Sequence, residues 1–213
     1  MPYDNAVSVQ ANAIRVTKLQ ADGSKMLGAS AAYTSSNFTA LTISPVIEAG
    51  QEIIQKRADG TVGFYMKMPD TLKSVNVSLA IYDPNPDLTS MLSGGDVLPG
   101  SKGYAAPQIG VDSTPNGVSI EAWSRAAVGS KQAAVDPYWH WVIPIAWMRQ
   151  TGDRVLGEGL TGTEFSGWGT ENANFTSPAT PVYPVAANRA YQYFRTTSLP
   201  TIPSGGAGYT TSA

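Results

Sequence analysis

The chain has no cysteine among its 213 residues. Without thiols it forms neither disulfides nor thiolate metal sites. Charge is also scarce: Asp, Glu, Lys and Arg make up 14% of the chain, against about 25% in typical soluble domains. A surface with so little charge is expected either to face other chains over much of its area or to work outside the cell.

A basic excess, a second histidine and a long apolar run are missing as well. The net charge is −2, whereas proteins that hold nucleic acid through its phosphates are basic. His140 is the single histidine, so no histidine pair can form a metal site. The longest apolar run, Tyr138 to Met148, is about half the length of a membrane-spanning helix. No secretory signal is evident at the N-terminus, and we expect no membrane insertion.

Two motifs match known binding sites in letters only. Gly157-x-Gly159-x-x-Gly162 copies the dinucleotide fingerprint, but no helical periodicity follows it. Asp83-x-Asn85-x-Asp87 copies the start of a calcium loop, but the loop's later glycine and glutamate are absent. His140 has no Gly-x-Ser-x-Gly motif to accompany it, which favours a packed or interfacial histidine over a catalytic one. We therefore expect no enzyme, and no catalytic, cofactor or metal site.

The clearest pattern in the chain runs from Thr61 to Gly95. Hydrophobic residues alternate with polar or small ones from Val62 to Met68, and again from Val75 to Ile81. This period of two predicts two strands, each buried on one face, and Pro69-Asp70-Thr71 predicts the turn that pairs them.

A short helix is predicted directly after the second strand. Asn85 suits its N-cap, Pro86 its first helical position and Asp87 its first turn. The Leu-rich segment that follows stops at Gly94-Gly95, so the helix has about two turns.

Further strands are expected along the rest of the chain. The segment Tyr138 to Met148 does not alternate cleanly, so both of its faces are expected to be covered, one by the core and the other by the same chain or a neighbour. Pro144 cannot donate to a sheet ladder and indicates a bulge or an edge there. The other expected strands are Phe38–Ile47, Ile53–Arg57, Val118–Val128 and Arg154–Trp168.

The sequence thus predicts a mainly β protein: an antiparallel β-sandwich or barrel with one short α-helix. Residues 1–199 are expected to form a single domain, with a loop-rich excursion at 94–117. Residues 200–213 form a Gly/Ser/Thr-rich C-terminal tail, which is expected to be disordered or ordered only by a partner.

Short motifs appear along the chain in a characteristic order. The Pro69–Lys73 connection and the acidic, Pro-containing approach to the Leu-rich helix are two of them. The others are Ala11–Leu19 with Asp22-Gly23, Glu48 to Gly60, Trp141-Val142-Ile143-Pro144, Thr151-Gly152-Asp153-Arg154 and Gly167 to Phe175. In this order the chain resembles the major tail tube proteins of long-tailed siphophages, particularly those that infect actinobacteria. The resemblance covers roughly Ala11 to Arg195, and the agreement in order is its specific part.

The resemblance implies a structural virion protein of the phage tail, assembled in the host bacterial cytoplasm. Its subunits would form stacked hexameric rings, each lending strands to a continuous barrel around a lumen. The implied partners are other copies of the chain, the tape measure protein, and the tail tip and tail terminator proteins. DNA would pass through the lumen transiently and without specific contacts.

Two sets of residues are candidates for this assembly. The Glu48–Gly60 connection is polar and charged, which suits contacts between subunits or rings, although a solvated hairpin of no consequence is the alternative. A DNA conduit must not retain its cargo, so its lumen is expected to be lined by Ser, Thr, Asn and acidic residues. The contact candidates are Glu48, Glu52, Lys56, Arg57, Asp59, Trp139 and Trp141, and the lumen candidates are Glu121, Glu158 and Glu164.

Two other classes of protein stay open on the sequence. A carbohydrate-binding β-sandwich module would use exposed aromatic faces as sugar platforms, and the tryptophans at 123, 139, 141, 147 and 168 are the candidates. A secreted hydrolase on a β scaffold would need a perturbed acid/base pair in a cleft.

Overall fold

The structure, a computed structural model, describes residues 5–82, 85–112, 114, 116–153, 162–175, 188–201 and 207–209. It confirms the predicted mainly β, antiparallel fold with one short α-helix. The helix α1 spans Pro86–Ser93, and a single 3-10 turn spans Pro99–Ser101. The strands in these residues are β1 (Val7–Lys18), β2 (Gly28–Ser35), β3 (Phe38–Glu48), β4 (Glu52–Lys56), β5 (Val62–Lys67), β6 (Thr71–Ile81), β7 (Asp96–Val97), β8 (Tyr104–Ala105), β9 (Val118–Val128), β10 (Lys131–Gln132), β11 (Tyr138–Gln150), β12 (Thr163–Thr170), β13 (Gln192–Thr196) and β14 (Ala207–Tyr209).

One large antiparallel sheet organises the described chain. Its strand order is β14-β2-β1-β9-β11-β12-β6-β3, with β10 added beside β9 and β13 beside β11. The sheet curls until β1 contacts β3. Among the described residues it does not close into a barrel, so β3 and β14 are its two edges.

The main hydrophobic core lies on one face of this sheet, against α1. The alternation predicted for β6 is confirmed, because Val75, Val77, Leu79 and Ile81 are all buried. Leu88, Met91 and Leu92 of α1 belong to the same cluster, together with residues of β1, β9, β11 and β12. The alternating hydrophobic residues of β6 are therefore buried against other elements of the same chain.

The start and end of α1 are those predicted from the sequence. The Asn85 side chain accepts hydrogen bonds from the backbone N–H groups of Asp87 and Leu88 at 2.9 and 3.1 Å. Gly94 ends the helix with a φ of 74°, and its N–H donates to the carbonyl of Ser90. Asn85 is thus a helix cap. Asp83, the first residue of the calcium-loop match, lies outside the described residues.

Pro144 marks a bulge in β11, as predicted. The pairing of β11 with β9 shifts register between Ile143 and Ala146, where Pro144 cannot donate to the ladder. The shift exchanges the faces of the strand: Ile143 and Ala146 both join the main core, while Val142 and Ile145 both join a second cluster with Phe175 and Phe194. Both faces of β11 are covered, which confirms that prediction.

The two alternating segments after Thr61 do not pair with each other, contrary to the prediction. β5 pairs with β4, and β6 pairs with β3 on one side and β12 on the other. Pro69-Asp70 connects β5, in the ladder with β4, to β6, in the ladder with β3, instead of forming a hairpin turn between β5 and β6. The prediction that β5 is buried on one face is also wrong, since all of its residues are exposed.

The two ends of the described chain both add to the large sheet. β1 and β2 form the opening hairpin, and β14, within the tail that was expected to be disordered or ordered by a partner, pairs with β2. In the described part of the 94–117 excursion, the regular elements are the two-residue strands β7 and β8 and the 3-10 turn. Of the strand expected over Arg154–Trp168, residues 154–161 lie outside the described residues, and β12 begins at Thr163 and extends to Thr170.

Candidate assembly surface

The hairpin formed by β4, its turn and β5 (Glu52–Lys67) is called the arm here. Its ladder sets Ile53 opposite Met66 and Ile54 opposite Tyr65. The turn is closed by hydrogen bonds from the backbone N–H and hydroxyl of Thr61 to the Asp59 carboxylate, at 2.9 and 2.6 Å. Both hydrogen bonds lower the pKa of Asp59 below its ordinary value, and the bond from the hydroxyl has the larger effect. The arm thus has a defined register and a defined tip.

Backbone contacts hold the base of the arm. The Gly50 N–H donates to the Asp70 carboxylate at 2.9 Å, and the Met68 N–H donates to the Gln51 carbonyl at 2.9 Å. A Cβ atom on Gly50 would lie 1.9 Å from the Met68 carbonyl oxygen. The base is therefore packed backbone to backbone, at a distance that only glycine permits.

Both faces of the arm expose apolar side chains. Residues opposite each other in a ladder share a face, so Ile53 and Met66 lie on one face while Ile54 and Tyr65 lie on the other. Ile54 is 50% exposed, Tyr65 56% and Phe64 51%. A ribbon that is apolar on both faces and covered on neither is a typical feature of a surface that binds another molecule.

The charged contact candidates surround these apolar residues. Glu48 ends β3 at the base of the arm, Glu52 and Lys56 lie on β4, and Arg57 and Asp59 lie in the turn; all are exposed. Among the described residues, none of them has an oppositely charged group within 4 Å. The sequence found this charged rim but missed its apolar centre, which it had assigned to a core.

The remaining contact candidates, Trp139 and Trp141, lie on β11 and form a separate aromatic patch. Both are half-buried and pack against Tyr193 of β13, with ring centroids 5.8 and 4.7 Å apart. The Trp141 indole N–H donates to the Ser124 hydroxyl at 3.1 Å. Tyr193 covers part of both indoles and is itself 52% exposed.

Glu121 does not line a surface, so its assignment to a lumen is wrong. Its side chain is fully buried and accepts hydrogen bonds from Arg15 Nε at 2.7 Å and His140 Nε2 at 3.1 Å. The sequence missed this pairing because Arg15 lies 106 residues away. Of the other lumen candidates, Glu164 is exposed on β12, and Glu158 lies outside the described residues.

Aromatic rings complete the buried cluster around Glu121. The Trp123 ring stacks on His140 with centroids 4.2 Å apart and 13° between planes, and the Arg15 guanidinium lies 5.1 Å from the Trp123 ring centroid. Phe194 meets His140 edge-on at 4.8 Å. His140 and Glu121 are both 0% exposed, so the expectation of a packed histidine is confirmed and no substrate can reach this pair. Trp123, 1% exposed, is no sugar platform.

No known protein family matches the chain, and no curated protein matches it. In the part of the chain that the structure describes, no helix has the length and apolar character needed to cross a membrane. No group of three or more His, Cys, Asp or Glu side chains there is placed to hold a metal ion.

Proposed function

We propose that this chain is a structural subunit that assembles with copies of itself, and that the arm is a contact between neighbouring subunits. The observation that carries the proposal is the arm's uncovered apolar surface. Val62, Phe64 and Met66 alternate as residues of a buried strand do, yet they are about half exposed, at 57%, 51% and 46%. A second chain that covers the arm would complete the burial that the sequence pattern indicates.

Burial of this surface would contribute favourable free energy to association. Covering a half-exposed Ile, Phe or Met completely gains about 1 kcal/mol for each side chain. Ile53, Ile54, Phe64, Tyr65 and Met66 together would supply about 5 kcal/mol for each arm. Every subunit in a closed ring or a stack contributes an arm, so the contribution repeats around the assembly.

The edge strand β3 supports the same proposal. It is 11 residues long, and among the described residues it pairs only with β6. Edge strands in monomers are usually short, lysine-bearing or covered, whereas β3 is long and contains no lysine. Pro45, Glu48 and the register shift between Phe38 and Ala40 blunt it only in part. Another subunit can therefore add a strand there.

The tail tube of a long-tailed phage is the assembly that we propose for these subunits, on the strength of the resemblance in the order of elements. Under this proposal the rings are hexameric and stack into a tube that conducts DNA. The tape measure, tail tip and tail terminator proteins are its partners, and the virion tail is its location. The low charge and the β-rich fold are consistent with this role.

Electron microscopy and light scattering over a concentration series test the proposal. We expect rings or hollow tubes of uniform diameter from the unmodified chain. The double variant Ile54→Ser/Tyr65→Ser should remain folded by circular dichroism, because both side chains are exposed, but should lose assembly. Ile109→Ser, a like change at a fully exposed loop residue outside the arm, is the matched control and should assemble normally.

Two results would contradict the proposal. An unmodified chain that stays monomeric at every concentration would argue against self-assembly. Tubes of normal yield from the Ile54→Ser/Tyr65→Ser variant would show that the arm is a solvated hairpin without a role in the contact.

A further inference from the structure

A groove of about 710 Å³ lies on the sheet face opposite the main core, across β3, β6, β12 and β11. Its size is within the range of small-molecule sites. Asp112 and Thr114, from the loop before β9, form a wall beside it. The ladder registers place the floor residues in two parallel rows, Ser44-Asn76-Trp168-Trp147 and Thr42-Ser78-Ser166-Arg149.

Two stacked indoles form one end of the floor. The rings of Trp147 and Trp168 lie 4.4 Å apart between centroids, with 23° between their planes, and Trp168 is 49% exposed. The glycines on either side of Trp168 leave no room for a Cβ atom: one at Gly167 would lie 1.9 Å from the Trp147 carbonyl oxygen, and one at Gly169 would lie 2.8 Å from that of Ile145. The close approach of β12 to β11 therefore brings the two indoles into contact.

Polar side chains without internal partners form the rest of the floor. Among the described residues, none of Thr42, Ser78, Asn76 and Ser166 has a side-chain hydrogen bond to the protein. Arg149 is exposed, and no described carboxylate lies within 4 Å of its guanidinium. Hydroxyl, amide and guanidinium groups thus remain free to bind a ligand directly beside an aromatic platform.

This combination matches the chemistry of a sugar chain. A pyranose ring has an apolar face of C–H groups that packs on an indole, and hydroxyl groups around its edge that exchange hydrogen bonds with side chains of this kind. The four strands of a row span three interstrand spacings, or about 14 Å, which is room for a short oligosaccharide. The negative charge of Asp112 offsets the positive charge of Arg149 in the described lining, so the groove has no net charge there that would favour an anionic ligand.

We propose that this groove binds a short neutral oligosaccharide, with Trp168 as the stacking platform and the Asn76 and Ser78 side chains as hydrogen-bonding partners. The described residues that line the groove all belong to one subunit. A single-stranded nucleic acid could also stack on Trp168. Among the described lining residues, however, Arg149 is the single cation, and strong binding to a nucleic-acid backbone needs several.

The test uses the full chain on an array of neutral glucans, galactans, mannans and chitooligosaccharides, followed by calorimetric titration with the glycans that bind. We expect binding by the unmodified chain, and an affinity at least about tenfold weaker for Trp168→Ala, since an aromatic contact of this size is lost. Tyr193→Ala is the matched control, because Tyr193 is also half exposed and stacked on a tryptophan. It should bind as the unmodified chain does, and thermal unfolding verifies that both variants are folded.

Three results would overturn the proposal. The first is an unmodified chain that binds no glycan on the array. The second is a Trp168→Ala variant that binds as well as the unmodified chain, or a Tyr193→Ala variant that alone loses binding. The third is tighter, salt-sensitive binding of oligothymidylate in the same groove, which would assign the platform to nucleic acid instead.

Discussion

Glu121→Gln tests how strongly the buried ionic cluster stabilises the fold. The substitution keeps the shape of the side chain and removes its charge, so no cavity complicates the result. Arg15, 8% exposed, would keep its charge without the carboxylate that now lies 2.5 Å from its terminal nitrogen. His140 would lose a charged partner at 3.1 Å.

The expected loss of stability is large. Removing one partner of a buried ion pair costs about 3–5 kcal/mol, because the other charge is left uncompensated. A domain of this kind has a free energy of unfolding of about 5–15 kcal/mol, so the variant would lose a substantial fraction of it. Most of the penalty should come from the stranded guanidinium of Arg15, since a neutral amide can still accept a hydrogen bond from His140.

Urea unfolding followed by circular dichroism measures the loss. Glu164→Gln, the same change at an exposed site on β12, is the matched control and should shift the free energy of unfolding by less than about 0.5 kcal/mol. Adding Arg15→Met to Glu121→Gln should recover part of the stability, because it removes the unpaired charge. A Glu121→Gln variant within about 1 kcal/mol of the unmodified chain would refute the reasoning and would indicate that water reaches the carboxylate.

Three further predictions concern the arm and the helix. Thr61→Ala should raise the pKa of Asp59 towards its ordinary value in an NMR titration, whereas Thr61→Ser should leave it lowered. Because that pKa is lower in the folded arm than in the unfolded chain, ionised Asp59 stabilises the folded arm at neutral pH, and this stabilisation is lost as the pH falls through the lowered pKa. An unchanged Asp59 titration in Thr61→Ala would contradict this. Gly50→Ala should displace the base of the arm, since its Cβ would meet the Met68 carbonyl, and should increase hydrogen exchange in β4 and β5; unaltered exchange would argue against the close packing. Asn85→Ala should cost about 1 kcal/mol of stability through the lost cap, whereas Asn85→Asp should cost little in thermal unfolding, and equal losses would indicate that capping is not the cause.

Local chemistry was readable along much of the chain. The cap at Asn85, the stop at Gly94, the alternation in β6 and the bulge at Pro144 each depend on a few neighbouring residues. Turn, cap and bulge preferences arise from backbone sterics and from hydrogen bonds over one to four residues. These elements therefore appeared in the structure at the predicted positions.

Long-range pairing was not readable in the same way. The β5 pattern gave no sign that its partner is β4, or that no second layer among the described residues covers it. Nothing in the local sequence distinguishes Glu121 from a surface residue, and it is the pairing of β9 with β1 that sets it opposite Arg15. The Trp147–Trp168 stack likewise depends on the register in which β11 pairs with β12.

The sequence by itself determined several of the strands, among them β3, β6, β9 and β11, and where the helix begins and ends, because those preferences are set within a few residues of each position. Only the tertiary structure decided which strand lies beside which, which charges are buried and which apolar faces are left uncovered. Burial and pairing are properties of the neighbours that folding brings together, and the spacing of residues along the chain does not specify those neighbours.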